Sequence, residues 1–281
     1  KILEQLGYDF EAGRLDETVH PFMIGINRQD VRITTKYDEK DFRTAVFGTI
    51  HECGHALYEQ NIGEELSGTL VETGASMGIH ESQSRLWENL VGRSKEFWSF
   101  FYPSLQMLFP EFLANVDRDD FYRGINRVEP SLIRVEADEA TYDLHIMLRF
   151  SLERAMLNGE IKVSDVPTAW NDAFQQFFDM TPPDDAHGCL QDIHWSMGGL
   201  GYFSTYTLGN FNAAQLYHKA TQDEEIASAC DSANYLPILG WMRENIHTKG
   251  STLFPQELME MATGEKTNPR YHLDHLKRRF L

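Results

Sequence analysis

Residues 48–60 read GTIHECGHALYEQ, with His51 and His55 four apart and Glu52 beside the first histidine. On an α-helix that separation places two side chains about 40° apart around the axis and about 6 Å apart along it, so both imidazoles can converge on one cation. Glu52 can then reach a water that the cation activates and take a proton from it as general base. The pattern is H-E-x-x-H, the signature of metal-assisted hydrolysis. Zn2+ is the default ion for such donors, and Co2+ or Mn2+ fits the same set. A catalytic zinc takes three protein ligands and keeps one position for water, so a third ligand is required. Glu81, in GIHESQSRLWENL, is a candidate, although a helical Glu at that position can instead pair with Arg85 one turn later. His80 competes for the role but points about 100° away from Glu81 on a helix.

These residues need helices to hold them. Asp38 and Asp41 resemble an N-terminal cap, and Phe42, Val46, Ile50, Cys53 and Leu57 then recur at helical spacing, which predicts a helix with an apolar core face. Thr44, Gly48, His51, His55 and Tyr58 form a second stripe turned away from it. A second helix is expected from about Ala75 to Val91, with Ile79, Gln83, Leu86 and Leu90 on one side and Glu81, Arg85 and Glu88 on another. Further helices are expected at about 94–114, 135–158, 165–180, 203–220 and 233–247. The only good strands lie in PFMIGINRQDVRITTKY, where two apolar runs flank NRQD as a hairpin. The expected fold is therefore mainly α with a minor sheet, in a single domain.

Composition narrows the function. The 281 residues carry 25 Lys plus Arg against 43 Asp plus Glu, a formal charge of −18, which excludes a nucleic-acid backbone as an obvious partner. No run of about 18 apolar residues occurs, so no membrane partner is expected. Three widely spaced cysteines do not make a disulfide framework and point to the reducing cytoplasm.

Beyond the two helices, the order of several blocks resembles the M32 metallocarboxypeptidases, the thermostable Taq-type carboxypeptidases. These blocks are HPF (His20 to Phe22), DVRIT (Asp30 to Thr34), HECGH (His51 to His55), HESQ (His80 to Gln83), IRVEAD (Ile133 to Asp138) and GCLQDIHW (Gly188 to Trp195). The tail LGWMRENIHTKGS with ATGE is similar to the same family. The resemblance implies a helical, cleft-forming metallopeptidase fold related to neurolysin and angiotensin-converting enzyme, with a small β hairpin or sheet at the cleft edge. It implies broad-specificity removal of single residues from peptides with a free C-terminal carboxylate, and a homodimer. It also implies that Glu81 completes the metal site, leaving His80 as an outer partner.

For the oxyanion that forms when the peptide carbonyl is attacked, His194 and Tyr202 are the candidate donors, with Tyr206 a rival to Tyr202. Arg134 and Arg32 match the arginine-bearing blocks, and a guanidinium can hold the substrate carboxylate through two parallel hydrogen bonds. The alternative is internal pairing, of Arg32 with Asp30 and of Arg134 with Glu136 or Asp138. Gln191 and Asp192 are candidates for orienting a metal-bound histidine.

In that family a helical half precedes HPF, whereas here HPF starts at residue 20 and the first residue is Lys. The expectation is a catalytic C-terminal portion, residues 1–281, without that half. Two alternatives follow: a catalytically idle zinc-binding or assembly module, or an endopeptidase or aminopeptidase with structural arginines.

Overall fold

The computed structural model describes residues 1–281. Three strands, β1 (Gly13–Glu17), β2 (Met23–Asn27) and β3 (Asp30–Thr35), form a sheet in the order β1-β3-β2. The expected hairpin is present: β2 runs antiparallel to β3, with Met23 opposite Ile33 and Gly25 opposite Val31. Val31 and Ile33 point into the core while Arg32 points out, as the two-residue period of a strand requires. The parallel strand β1 was not expected, because GRLDE holds a single large apolar residue. It is seated by Gly13, where a Cβ would lie 2.1 Å from the Val31 carbonyl oxygen, and by the Tyr8 hydroxyl, which donates to that oxygen at 2.7 Å.

Thirteen α-helices accompany the sheet. They are α1 (Ile2–Leu6), α2 (Phe42–Gln60), α3 (Met77–Arg85), α4 (Lys95–Leu108), α5 (Pro110–Leu113), α6 (Arg118–Ile125), α7 (Tyr142–Leu157), α8 (Val166–Phe178), α9 (Ser204–Ala220), α10 (Glu224–Asp231), α11 (Leu236–Asn245), α12 (Pro255–Thr263) and α13 (Arg270–Phe280). The mainly α expectation therefore holds. None of them is long and apolar enough to cross a membrane. The chain divides into two compact units, one of Lys1–Ile125 with Leu208–Lys277 and one of Asn126–Thr207 with Arg278–Leu281.

In the first unit α2 starts where expected, with the Asp41 carboxylate accepting from the Arg43 amide at 2.9 Å. Of the expected apolar stripe, Ile50, Cys53 and Leu57 are buried and Phe42 and Val46 half-buried, and Phe47, which was not part of it, is buried with them. The second stripe is a partial correction: Tyr58 is fully buried, because α3 covers that side of α2. Gly54 allows the crossing, since a Cβ there would lie 2.6 Å from Ser84 Cα and 2.7 Å from the Gln83 carbonyl oxygen.

Ser76 caps α3 through its hydroxyl, which accepts from the Ile79 amide at 3.1 Å. The helix expected to continue to Val91 does not stay α: Leu86–Val91 form a π-helical turn. The helix expected at 94–114 is also divided. Pro110 opens α5 after Phe109, since proline disfavours helical backbone in the residue before it.

The second unit has its own core, in which Leu148 and Leu152 of α7 meet Trp170, Phe174 and Phe178 of α8 and Cys189. Its first helix starts at Tyr142, later than expected, because Asp138 accepts from the Ala140 and Thr141 amides and makes a turn there.

Candidate metal centre

Two consecutive helices of the first unit bring the expected donors together. His51, His55 and Glu81 offer ligand atoms that all lie within 4.8 Å of one another. Glu81 Oε2 is 3.6 Å from His51 Nε2 and 3.4 Å from His55 Nε2. Tetrahedral bonds of about 2.0–2.1 Å put neighbouring ligand atoms about 3.3 Å apart, so these separations suit one cation. The donor chemistry, two imidazole nitrogens and a carboxylate oxygen, fits zinc.

The Arg85 pairing of Glu81 is realised, and it leaves the second carboxylate oxygen facing the two histidines. Arg85 Nε donates to its Oε1 at 2.7 Å, while Oε2 faces the two histidines and accepts from the Ser84 hydroxyl at 3.1 Å. Burial alone would raise this carboxyl; Arg85, His51 and His55 outweigh it and hold the group well below the usual carboxylate range. Gly209 of α9 presses on the same side chain, for a Cβ at 209 would come within 2.5 Å of Glu81 Cγ.

Each histidine has a partner at its other nitrogen. His51 Nδ1 lies 2.8 Å from Glu88 Oε2, and His55 Nδ1 lies 2.7 Å from His80 Nδ1. Burial opposes protonation of His51, but Glu81, Glu88 and Glu52 raise its pKa to about 9. His55 goes the other way, to about 4, chiefly by burial, with His80 and His51 adding to the effect against Glu81. Glu88 falls to about 2 although burial would raise it, because His51, Arg85 and Arg93 favour its charged form. Glu52 is raised, first by burial and then by Glu81 and Glu88 against the lowering effect of His51. A carboxyl so raised suits a group that must accept and return a proton.

His80 lies against the far nitrogen of His55, while the contacts of Glu88 with His51 and of Glu59 with His80 were missed. Glu88 stands seven residues after Glu81, about two helical turns, so its face was readable but its partner on α2 was not. Glu59 follows His55 by four residues, and that spacing was the available signal.

The expected orienting role of Gln191 and Asp192 needs correction. Both lie in the second unit, and they are engaged by arginines: Asp192 accepts from Arg134 Nε and Nη2 and from Arg149 Nε, at 3.1, 2.8 and 2.7 Å. Gln191 Oε1 accepts from the Arg134 amide and from Arg149 Nη2. Arg134 is buried and also donates to the Tyr142 hydroxyl at 2.7 Å, so its internal pairing is with Asp192 rather than Glu136 or Asp138. Arg149 was missed. It is fully buried and its guanidinium lies 4.7 Å from the Trp170 ring centre. Arg32, in the first unit, forms the Asp30 pair at 2.7 and 2.8 Å on the exposed face of β3.

His194, Tyr202 and Tyr206 gather in the second unit. His194 Nε2 is 3.0 Å from the Tyr206 hydroxyl, and its ring centre is 5.3 Å from that of Tyr202. Burial, then Arg134, lowers the His194 pKa and favours the neutral ring.

Comparison with known proteins decides the family. The sequence pattern described as Carboxypeptidase Taq (M32) metallopeptidase matches residues 1–280. The chain belongs to the M32 metallopeptidases. This M32 chain is 51% identical over 280 residues to Carboxypeptidase 1 of Bacillus subtilis, covering 99% of itself and 56% of that protein. It is 47% identical to Thermostable carboxypeptidase 1 of Thermus thermophilus, covering 100% of itself and 55% of that protein. The solved M32 carboxypeptidase from Deinococcus radiodurans R1 superposes with a TM-score of 0.96 at 44% identity, over 99% of this chain and 56% of that one. The M32 chain thus spans little more than half the length of these relatives.

Proposed function

We propose that this chain is the catalytic portion of a zinc carboxypeptidase that removes single residues from peptides with a free C-terminal carboxylate, with broad specificity. The observation that carries it is the convergence of His51 Nε2, His55 Nε2 and Glu81 Oε2, with Glu52 on the same helix, in a chain of the M32 family. A bound zinc would supply Lewis acidity, lowering the pKa of a water and polarising a carbonyl oxygen. His51 and His55 would hold that ion from one helix and Glu81 from the next, with Arg85 occupying Glu81 Oε1 and leaving Oε2 turned to the two histidines. Glu52 takes a proton at its carboxylate and delivers it to the leaving amine.

In the second unit, the His194–Tyr206 pair, with Tyr202 beside it, offers neutral donors suited to a carbonyl oxygen that gains charge. Arg134 and Arg149 share the single carboxylate of Asp192, an excess of positive charge suited to a peptide carboxylate. Arg32, paired with Asp30 at the surface, is assigned a lesser part in substrate binding. The free, buried Cys53, Cys189 and Cys230 support a cytoplasmic setting, and the family resemblance supports a homodimer.

The test is metal content together with release of the C-terminal residue from an N-blocked dipeptide, for the wild type and Glu52→Gln. The expected result is about one zinc per chain in both and cleavage only by the wild type. Zinc without cleavage in either would favour an idle zinc-binding module. Equal cleavage of a C-terminally amidated peptide would favour an endopeptidase or aminopeptidase.

A further inference from the structure

At its Nδ1, the atom turned away from Glu81, His55 does not reach a carboxylate directly. Its Nδ1 meets His80 Nδ1 at 2.7 Å, and His80 Nε2 meets Glu59 Oε1 at 2.8 Å. We propose that Glu59 and His80 are positioning residues that fix the tautomer of His55, so that its Nε2 presents a lone pair to the cation. This rests on the zinc site proposed above.

The polarity follows from the inventory of donors and acceptors. The Glu59 carboxylate can only accept, so His80 Nε2 must carry a proton and donate it. A neutral imidazole has one N–H, so His80 Nδ1 is then an acceptor. The short contact between the two Nδ1 atoms requires one donor, and that donor is His55. His55 is thereby left with its proton on Nδ1 and none on Nε2, the atom that faces Glu81. A doubly protonated His80 would reverse the last bond and put the His55 proton on the ligating nitrogen.

The surroundings hold the relay in place. The His80 ring lies 5.2 Å from the Tyr58 ring, and a Cβ at Gly74 would come within 2.8 Å of His80 Cδ2. Glu59 stands on α2 one turn beyond His55, and a Cβ at Gly25 of β2 would meet its Cγ at 3.5 Å. His51 needs no such relay because Glu88 accepts from its Nδ1 directly. That difference supplies an internal control.

Long-range 1H–15N correlation spectra of the metal-free full chain at neutral pH report which nitrogen of each histidine is protonated. Zinc affinity is read separately, by competition with a chromophoric chelator. The wild type is expected to show His55 protonated at Nδ1 and His80 at Nε2. Glu59→Leu removes the acceptor and is expected to mix the tautomers of both rings and weaken zinc binding about tenfold or more, the usual effect of losing an outer partner. Glu59→Gln keeps an acceptor oxygen and is expected to restore most of both signals. His51 should keep its protonation at both nitrogens throughout, which separates loss of the relay from loss of the fold.

The proposal is overturned if wild-type His55 carries its proton on Nε2. It is equally overturned if Glu59→Leu leaves the His55 tautomer unchanged and zinc affinity within twofold, or if Glu59→Gln behaves like Glu59→Leu. A wild type that takes up no zinc would defeat the proposed metal site, while the tautomer spectra would still decide the relay.

Discussion

Gly54→Ala offers a test in which two simple expectations have opposite signs. Alanine in a helix interior is favoured over glycine by about 0.8–1.0 kcal/mol, so propensity alone makes the variant more stable. At this position the new Cβ would lie 2.6 Å from Ser84 Cα, whereas ordinary contact begins near 3.4 Å. Because the obstructing atoms are the backbone of α3, the two helices must part by about 0.8 Å, and overpacking of this kind costs about 1–3 kcal/mol. Gly48 lies on the same helix, and a Cβ there meets nothing within 4 Å. The difference between Gly48→Ala and Gly54→Ala therefore isolates the steric cost, since propensity enters both. Urea unfolding of the metal-free chain should place Gly48→Ala about 1–3 kcal/mol above Gly54→Ala. The same movement carries Glu81 away from His51 and His55, whose present spacings of 3.6 and 3.4 Å suit the cation. Zinc affinity should then fall at least tenfold in Gly54→Ala, a change of about 1.4 kcal/mol, and stay unchanged in Gly48→Ala. Equal stability and equal zinc affinity in the two variants would refute the close helix crossing as the reason for a glycine at 54.

Two other perturbations probe buried charge. His247 is fully buried, its Nε2 2.8 Å from Gln83 Oε1, and burial lowers its pKa from 6.5 to about 3. Between these values the unfolded chain binds a proton that the folded chain does not, so stability falls as pH falls through that window, by about 1.4 kcal/mol per pH unit for this one group. His247→Gln should flatten the measured slope of unfolding free energy by one proton; an unchanged slope would show that other groups set acid sensitivity. Asp192→Asn leaves Arg134 and Arg149 without their shared carboxylate, and loss of one member of such a buried set costs about 3–5 kcal/mol. Adding Arg149→Met should recover part of that loss in chemical unfolding; a double variant no better than the single one would count against electrostatics as the cause.

Side chains whose role depends on local spacing were the most legible. HECGH with its flanking apolar stripe located α2, and the cap at Asp41 located its start, because both depend on neighbours a turn away. The hairpin was readable for the same reason. Glu81 was visible as a candidate, yet its simultaneous bond to Arg85 showed that the two readings were not exclusive. Glu88 was placed on the Glu81 side of its helix, but nothing in that spacing tells that it meets His51 of α2. Arg134 and Asp192 were both noticed but assigned different tasks, since they lie 58 residues apart and spacing carries no information over that range. Burial was the second blind spot. Arg149 carries no mark in the sequence of the burial that Trp170 of α8 and Asp192 impose on it. The short helices α6, α10, α12 and α13 escaped for want of a long apolar stripe.

The donors and their outer partners occupy a narrow window of the chain. His51, Glu52, His55, Glu59, His80, Glu81, Arg85 and Glu88 all belong to α2, α3 and the π turn that follows, and Arg93 stands two residues beyond that turn. The contacts among them have low sequence separation, so the loop closed in joining them is short and its entropic cost small. A helical pair of this kind can assemble ahead of distant segments. Gly209 and His247, by contrast, reach Glu81 and Gln83 from more than a hundred residues further on. The site is thus built as a local cradle with a roof from distant segments, so that changes in the far half of the chain can reach the candidate ligands only through that roof.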